Sequence, residues 1–531
     1  MFDLIIRNAT IIDGKNKPAY LSDIGIKKDR IEKIGNLAHA KAKEEINANN
    51  LILSPGFIDV HSHADVEILS TYKSIDKITQ GVTTQIIGNC GFSVAPVKEE
   101  NKAIWKNNVS EIVGYFDEVA WEWNRFGEYI DYIKQKKIGT NIVPLAGYGA
   151  IRNFFSGFQD FQYQKEEIKK IKDKIIEVFN EGAKGVSFGL IYAPTIFADK
   201  NEILEISKFI AKENKIISFH IRNEGNYLID SIKEVIKIAQ ISQGNIEIAH
   251  LKALGKMNWN KKISECLDLI NKANKDSCSI GFDQYPYTAA STYLKSVLPP
   301  WVSRNGDETL IHRIKNKQNR TIIKDEFKKP PKKGVGWDNF IYLINKDWGK
   351  IRITGIDSKK NQYLQGKSLK EISDIRNEEP EDAVLNLLIE ENCRVTVIIF
   401  LISEEDMIRI MMNPYQKFGS DSIYSLHPHP RRYGSFPRVI RKYVREKNIL
   451  KLEEAIQKMT YSAAQKFNIK DRGVIEEGKF ADIAIFDFND ISDRSTYLKP
   501  NNYSEGIKFV ILNGSIVYND GKLIKLKGKV L

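Results

Sequence analysis

The chain has 531 residues, 42% of them hydrophobic and 28% charged, an ordinary globular composition too long for one small domain. Its net charge of +12 raises the question of nucleic acid, but the lysines alternate with glutamates along segments such as 165–181. The densest basic cluster, Lys328-Lys329-Pro330-Pro331-Lys332-Lys333, stands without an aromatic-basic motif or a zinc finger, so the excess reads as a solvated surface with no nucleic-acid partner. Four cysteines (Cys90, Cys266, Cys278, Cys393) show no paired spacing, which indicates neither a disulfide framework nor a Cys-x-x-Cys zinc module and favours a reducing, cytoplasmic compartment. The first residues lack the pattern of a secretory signal. The longest apolar runs, such as 395–402, fall short of the ~20 residues that a membrane span needs.

In chain order, residues 1–54 read as short strands and turns, with apolar runs at 4–6, 10–12, 24–26 and 31–35 and a turn at Asp13-Gly14. Residues 471–531 repeat that style, with runs at 481–486, 510–512 and 515–518 and a turn at 519–521. Neither end has enough strands to cover a hydrophobic face, so one small β-sandwich assembled from both termini is expected. Between them, over 55–470, strand-like runs alternate with amphipathic helices, one of which places Ile168, Ile171, Ile175 and Phe179 on a single face. That alternation predicts a parallel sheet closed as a (β/α)8 barrel of the TIM type. Nine candidate strands compete for eight places: 52–61, 82–89, 140–146, 185–190, 216–220, 245–250, 279–284, 394–401 and 417–420. Either 279–284 or 394–401 lies outside the wall. The stretch from about 299 to 351, with its Pro-Pro and Gly-Val-Gly, reads as an inserted excursion of the kind that shapes or covers a pocket.

Chemistry-bearing residues gather at the C-terminal ends of these strands, where barrel active sites are built. His61 and His63 are two apart, so an extended backbone turns both imidazoles toward one metal. Cys90 ends the second strand. Its ordinary explanation is a small buried apolar side chain, yet a thiolate among histidines is a strong zinc ligand. His220 and His250 end successive strands, either as hydrogen-bonded core residues or as further ligands. Asp421 follows Gly419-Ser420 at the last strand, where an aspartate is usually a turn residue; beside a metal it can bind the ion and take a proton from attacking water. His39 and His312 lie in segments where a solvated side chain is the default. His427 and His429 follow Asp421 closely and could line the pocket.

The combination of His61/His63, Gly88-Asn89-Cys90-Gly91, His220-Ile221-Arg222-Asn223-Glu224, His250-Leu251-Lys252, Tyr285-Pro286-Tyr287-Thr288-Ala289 and Gly419-Ser420-Asp421 resembles the amidohydrolase superfamily, and within it the N-acyl-D-amino-acid deacylases, or D-aminoacylases. The similarity runs through essentially the whole chain, from Pro55-Gly56-Phe57-Ile58-Asp59 to Gly478-Lys479-Phe480-Ala481-Asp482, with Cys90 as the branch-specific mark. Many dinuclear relatives carry a bridging lysine at the end of strand four; here the lysine of that strand, Lys184, stands at its start. The resemblance implies that Cys90 fills the role, with Cys90, His220 and His250 holding a firmly bound zinc and His61, His63 and Asp421 a second, weaker site. It further implies that Lys252, Tyr285 and Arg431 grip a substrate carboxylate and that Tyr192 contacts the scissile amide; Arg432 could trade places with Arg431. The expected substrate is a small-molecule N-acyl amino acid, hydrolysed with Asp421 as base and then acid. Two rivals are a ring-opening or deaminating amidohydrolase and a barrel that has lost catalysis and serves as a binding scaffold.

Overall fold

The structure is a computed structural model that describes residues 1–71 and 73–531. Eight parallel strands make the barrel wall: β1 (Phe57–Asp59), β2 (Val82–Ile87), β3 (Asn141–Pro144, continued by Ala146–Gly147), β4 (Gly185–Gly189), β5 (Ile216–His220), β6 (Asn245–Ile248), β7 (Ser279–Gln284) and β8 (Gln416–Phe418). Pairing runs from β1 through β2 to β3, and from Ala146–Gly147 through β4, β5, β6 and β7 to β8. The ring closes where the Asp421 amide donates to the His61 carbonyl at 2.7 Å and Ser62 bridges Ser422. Nearly every wall residue is buried, as expected of strands covered on both faces. Helices supply the outer cover. In α1 (Lys165–Asn180), Ile171, Ile175, Val178 and Phe179 are buried, and Glu167 caps the N-terminus by accepting from the Gln164 amide.

Of the two contested strands, 279–284 is in the wall and 394–401 is outside it. Val395–Phe400 is the centre of a separate antiparallel sheet, flanked by Ala289–Tyr293 and Ile351–Ile356. Its apolar run is buried like a wall strand, so periodicity alone does not separate the two. The inserted layer is accordingly wider than the expected 299–351: its sheet begins at Ala289 and ends at Phe400. Helices Leu369–Arg376 and Pro380–Glu390 beside these strands imitate the βα alternation of the barrel, which hid the true extent.

The terminal segments form one nine-stranded sheet, in which Ile52–Pro55 pairs with Phe2–Ile11 on one side and Ile483–Phe486 on the other. Leu4, Ile6, Ile26 and Ile31 from the N-terminal part meet Ile483, Ile485 and Ile511 from the C-terminal part in one buried cluster. Asp482 fastens this sheet to the barrel: it accepts from the Asn513 amide at 2.7 Å and from Asn141 Nδ2 at 3.0 Å, and it pairs with Arg472. Among the described residues no helix is long and apolar enough to cross a membrane.

Candidate metal centre and active site

At the C-terminal mouth of the barrel the expected residues converge. Cys90 Sγ lies 3.3 Å from His61 Nε2 and 3.5 Å from His250 Nε2. Asp421 Oδ1 lies 3.5 Å from His61 Nε2 and 3.2 Å from His63 Nε2. The His220 ring stands edge-on to His250, centroids 4.4 Å apart. All six side chains are buried.

Their grouping departs from the expected one. Cys90 shares a cluster of close ligand atoms with His61 and His250, a second joins His61, His63 and Asp421, and His220 belongs to a third with Glu224 and His250. The Glu224 carboxylate accounts for the difference. Its Oε1 accepts from His250 Nδ1 at 3.1 Å, and its Oε2 stands 3.7 Å from His220 Nε2.

Two carboxylates outside the expected set orient the rings. Asp283 Oδ2 is 3.3 Å from His61 Nδ1, as Glu224 Oε1 is from His250 Nδ1 at 3.1 Å, and each arrangement leaves Nε2 turned to the cysteine. A carboxylate behind an imidazole is the usual second partner of a metal-binding histidine. The residues present fit a borderline divalent metal. Both ring nitrogens of His220 and Nδ1 of His63 are buried without a hydrogen-bond partner, a cost that a cation removes. Sulfur, imidazole and carboxylate donors together suit such an ion.

At His220, His250 and Asp421 the electrostatics agree with these roles; at His61 and Cys90 they favour the protonated forms that a bound metal would displace. Burial, reinforced at His220 by His250 and at His250 by Lys252, pushes both imidazoles well below their ordinary pKa, leaving them neutral donors. Burial works against ionisation of Asp421, but the Arg431 guanidinium and His61 outweigh it and hold its carboxyl well below the usual carboxylate range. Burial likewise opposes charge on His61, where Cys90, Asp283 and Asp421 prevail and raise its pKa well above the usual value. Burial pushes the Cys90 thiol up, with His61 pulling the other way; a coordinated metal deprotonates such a thiol outright.

The four substrate candidates line or adjoin this site. Arg431 Nη1 is 3.0 Å from Asp421 Oδ2, its guanidinium lies 4.5 Å from the Tyr285 ring centroid, and its Nε and Nη1 have no hydrogen-bond partner. The Tyr285 hydroxyl is also buried and unpartnered. Lys252 Nζ donates to Glu224 Oε1 at 2.5 Å, and Tyr192 Oη lies 3.3 Å from Thr292 Oγ1. Arg432 does not exchange with Arg431: it is committed to Glu67 and Asp76. His429 is no ligand either. Its Nε2 donates to the Ala289 carbonyl at 3.0 Å and its Nδ1 accepts the Arg431 amide at 3.0 Å, while His427 Nε2 faces the Tyr497 carbonyl at 3.2 Å. Lys184 is remote from the mouth, its amide bonded to Pro144 at the start of β4.

Sequence reasoning missed several members of the site. Asp59 Oδ1 accepts from the Ser420 amide at 2.8 Å, and Oδ2 accepts from Ser420 Oγ at 2.6 Å and Lys77 Nζ at 2.8 Å. This buried knot ties the first wall strand to the last, one residue before Asp421. From the inserted layer, Asp338 accepts the amides of Glu224 at 2.7 Å and Gly225 at 2.9 Å, and Phe340 lines the cavity. Asp283 carried one readable signal, an acid at the end of a strand; Lys77 and Asp338 carried none.

A closed parallel barrel with sulfur, imidazole and carboxylate donors at its C-terminal mouth, joined to a sheet shared by both termini, defines an amidohydrolase. The Amidohydrolase family model matches residues 44–145 and 412–518. D-aminoacylase from Alcaligenes xylosoxydans xylosoxydans is 30% identical over 520 residues, covering 98% of this chain and 95% of that protein. A D-aminoacylase structure described for the functional role of its binuclear metal centre superposes with a TM-score of 0.82 at 28% identity, covering 100% and 99% of the two chains. N-acyl-D-glutamate deacylase from Bordetella bronchiseptica, complexed with zinc and a phosphonate mimic of the tetrahedral intermediate, gives 0.84 at 26% identity, with 100% and 99% covered. The chain belongs to the N-acyl-D-amino-acid deacylase (D-aminoacylase) family of the amidohydrolases.

Proposed function

We propose that this chain hydrolyses the amide bond of N-acyl-D-amino acids, releasing a carboxylate and a free D-amino acid, and that its metal is zinc. The carrying observation is the approach of Cys90 Sγ to His61 Nε2 and His250 Nε2 with Asp421 alongside. Cys90, His220 and His250, with His61 against the same sulfur, would hold the tighter ion; His61, His63 and Asp421 would hold the weaker one. Zinc bound there supplies Lewis-acid polarisation of the amide carbonyl and a lowered pKa for attacking water.

The chain's own residues divide the remaining work. Asp421, ionised at neutral pH, accepts the proton of the attacking water at Oδ1 or Oδ2 and returns it to the departing nitrogen. The Nε–H of Arg431, the Tyr285 hydroxyl and the Lys252 ammonium receive the amino-acid carboxylate, while Arg431 Nη1 stays paired with Asp421. Tyr192, which lines the same cavity, contacts the scissile amide. Preference for the D-series rests on the names of the relatives, and a cytoplasmic location rests on four unpaired cysteines.

The test is a panel of N-acetyl amino acids in both enantiomers, with and without added zinc, on the wild-type chain and on Asp421→Asn. Hydrolysis confined to D-compounds, dependent on zinc and reduced at least ~100-fold by the substitution, is the expected outcome. Cleavage of L-compounds alone, or unchanged turnover in Asp421→Asn, refutes the reading.

A further inference from the structure

The metal cluster's cavity lies between two hydrophobic clusters of the core. Leu254, Tyr285 and Phe340 line it from one, and Phe92, Tyr192 and Ile423 line it from the other. We propose that the enzyme acts on derivatives of amino acids with neutral, apolar side chains, that Leu254 and Phe340 are the wall against which that side chain lies, and that aspartate and glutamate derivatives are rejected for want of a cation. The inference rests on the deacylase reading above and extends it to the side chain of the substrate.

Placement follows from the covalent structure of the substrate. Its side chain and its carboxylate are carried by the same carbon, so the group that grips one fixes the surroundings of the other. Arg431 and Lys252 sit 4.5 Å and 5.9 Å from the Tyr285 ring centroid, and the carboxylate belongs there. Leu254 follows Lys252 by two residues, and its amide donates to the Glu224 carbonyl at 2.9 Å. Phe340 follows Asp338 by two residues, and Asp338 accepts the amides of Glu224 at 2.7 Å and Gly225 at 2.9 Å. Both apolar side chains are therefore held beside Glu224, the residue to which Lys252 Nζ donates.

The charges of the site are already matched. Among the described residues that line the cavity, Lys252 is the one lysine or arginine, and Glu224 pairs with it at 2.5 Å. Arg431 adjoins the cavity and pairs through Nη1 with Asp421 at 3.0 Å. The Arg431 Nε–H and the Tyr285 hydroxyl remain without partners, and a single carboxylate satisfies them. Other buried cations around the mouth are engaged as well: Arg222 with Glu234 at 2.9 Å, Arg432 with Glu67, and Lys295 with Glu111 and with Asp307 at 2.8 Å. A second carboxylate on the substrate would lose its water against Leu254 and Phe340 with Glu224 close by and no cation to answer it. An apolar side chain gains from the same burial.

The experiment compares kcat/KM of the zinc-loaded enzyme for the N-acetyl derivatives of D-leucine, D-methionine, D-glutamine, D-glutamate, D-asparagine and D-aspartate. The two apolar compounds should lead, with the two acids at least ~100-fold below them, as befits a buried charge without a partner. Each amide should exceed the acid of the same shape at least ~10-fold, which separates charge from size. Phe340→Lys, which puts a cation into the apolar wall, should raise the ratio of D-glutamate to D-glutamine at least ~10-fold, whereas Phe340→Leu should leave that ratio where it is. An acid cleaved as well as the leucine compound, or as well as its own amide, overturns the neutral wall and leaves the deacylase reading standing. A ratio unmoved in a folded Phe340→Lys likewise overturns the assignment of Phe340. Failure to cleave any compound of the set sinks the deacylase reading itself.

Discussion

Lys77→Met tests whether the buried knot under Asp421 holds the site or only the fold. Lys77 and Asp59 are essentially inaccessible, at 1% and 0% exposure, so their pairing gains little from water and loses much when broken. Lys77 Nζ bonds Asp59 Oδ2 at 2.8 Å and the hydroxyls of Ser420 and Ser422 at 2.7 Å each. Removing one partner of a buried ion pair costs about 3–5 kcal/mol, because the other charge stays buried without compensation. Asp59 keeps its bonds from Ser420, which places the expected loss toward the lower end of that range, about 3 kcal/mol. Asp421 follows Ser420 directly, so its carboxylate loses its fixed position, and kcat should fall at least ~10-fold while KM changes little. Urea unfolding of the metal-loaded protein reads the stability term, and steady-state kinetics on a D-substrate reads the other. Lys77→Gln, which keeps a donor at nearly the same reach, should show the smaller loss on both. A loss under about 1 kcal/mol refutes the assignment of a buried, uncompensated pair; a large stability loss with unchanged kcat shows that the knot does not position Asp421.

Glu224→Gln removes the charge that accepts from His250 Nδ1 and Lys252 Nζ. Metal affinity, measured by chelator competition, should weaken ~10–100-fold, as it does when a carboxylate behind a metal-bound histidine is lost. Asp338 is pushed by burial to a pKa of about 7, with Glu224 adding to the rise, against 3.8 for an ordinary aspartate. Its folded-state pKa is raised, so the folded chain binds the extra proton, and stability drops as pH rises from about 4 to 7. Asp338→Asn abolishes that titration. Its melting midpoint relative to the wild type should therefore improve steadily over that interval, and a pH-independent difference would sink the assignment.

How much was legible without coordinates divides along a physical line. Residues whose identity is tied to a strand end were readable: His61, His63, Cys90, His220, His250 and Asp421 all stand at the barrel mouth because parallel strands deliver their C-terminal ends to one face. Residues that act by long-range contact were not. Lys77 is an ordinary helical lysine until β8 is folded against β1, and Asp338 is an ordinary loop aspartate until the inserted layer settles on Gly225. The insert itself was under-read because its buried strand Val395–Phe400 satisfies the same pattern as a wall strand, and only its antiparallel partners distinguish it. The two motifs shared widely by amidohydrolases gain a mechanical reason from these contacts. Asp59 closes the barrel, and Asp482 binds the terminal sheet to β3 through Asn141.

Side-chain direction was the other illegible quantity, and the backbone shows why. Residues two apart share a direction only while the chain stays extended. Cys90, His250 and Asp421 have all left the strand, with φ of 54°, 38° and 48°, a left-handed conformation that costs a non-glycine residue about 1–3 kcal/mol. Such a conformation persists only where neighbouring elements impose it. Here the Asp283 carboxylate accepts the His250 amide at 3.0 Å, and the His61 carbonyl accepts the Asp421 amide at 2.7 Å. Cys90 is flanked by Gly88 and Gly91, both at positive φ, where an added Cβ at Gly88 would meet the Leu145 carbonyl. Each turn that aims a ligand is therefore held by a different strand of the barrel, and the six donors converge because the ring is closed.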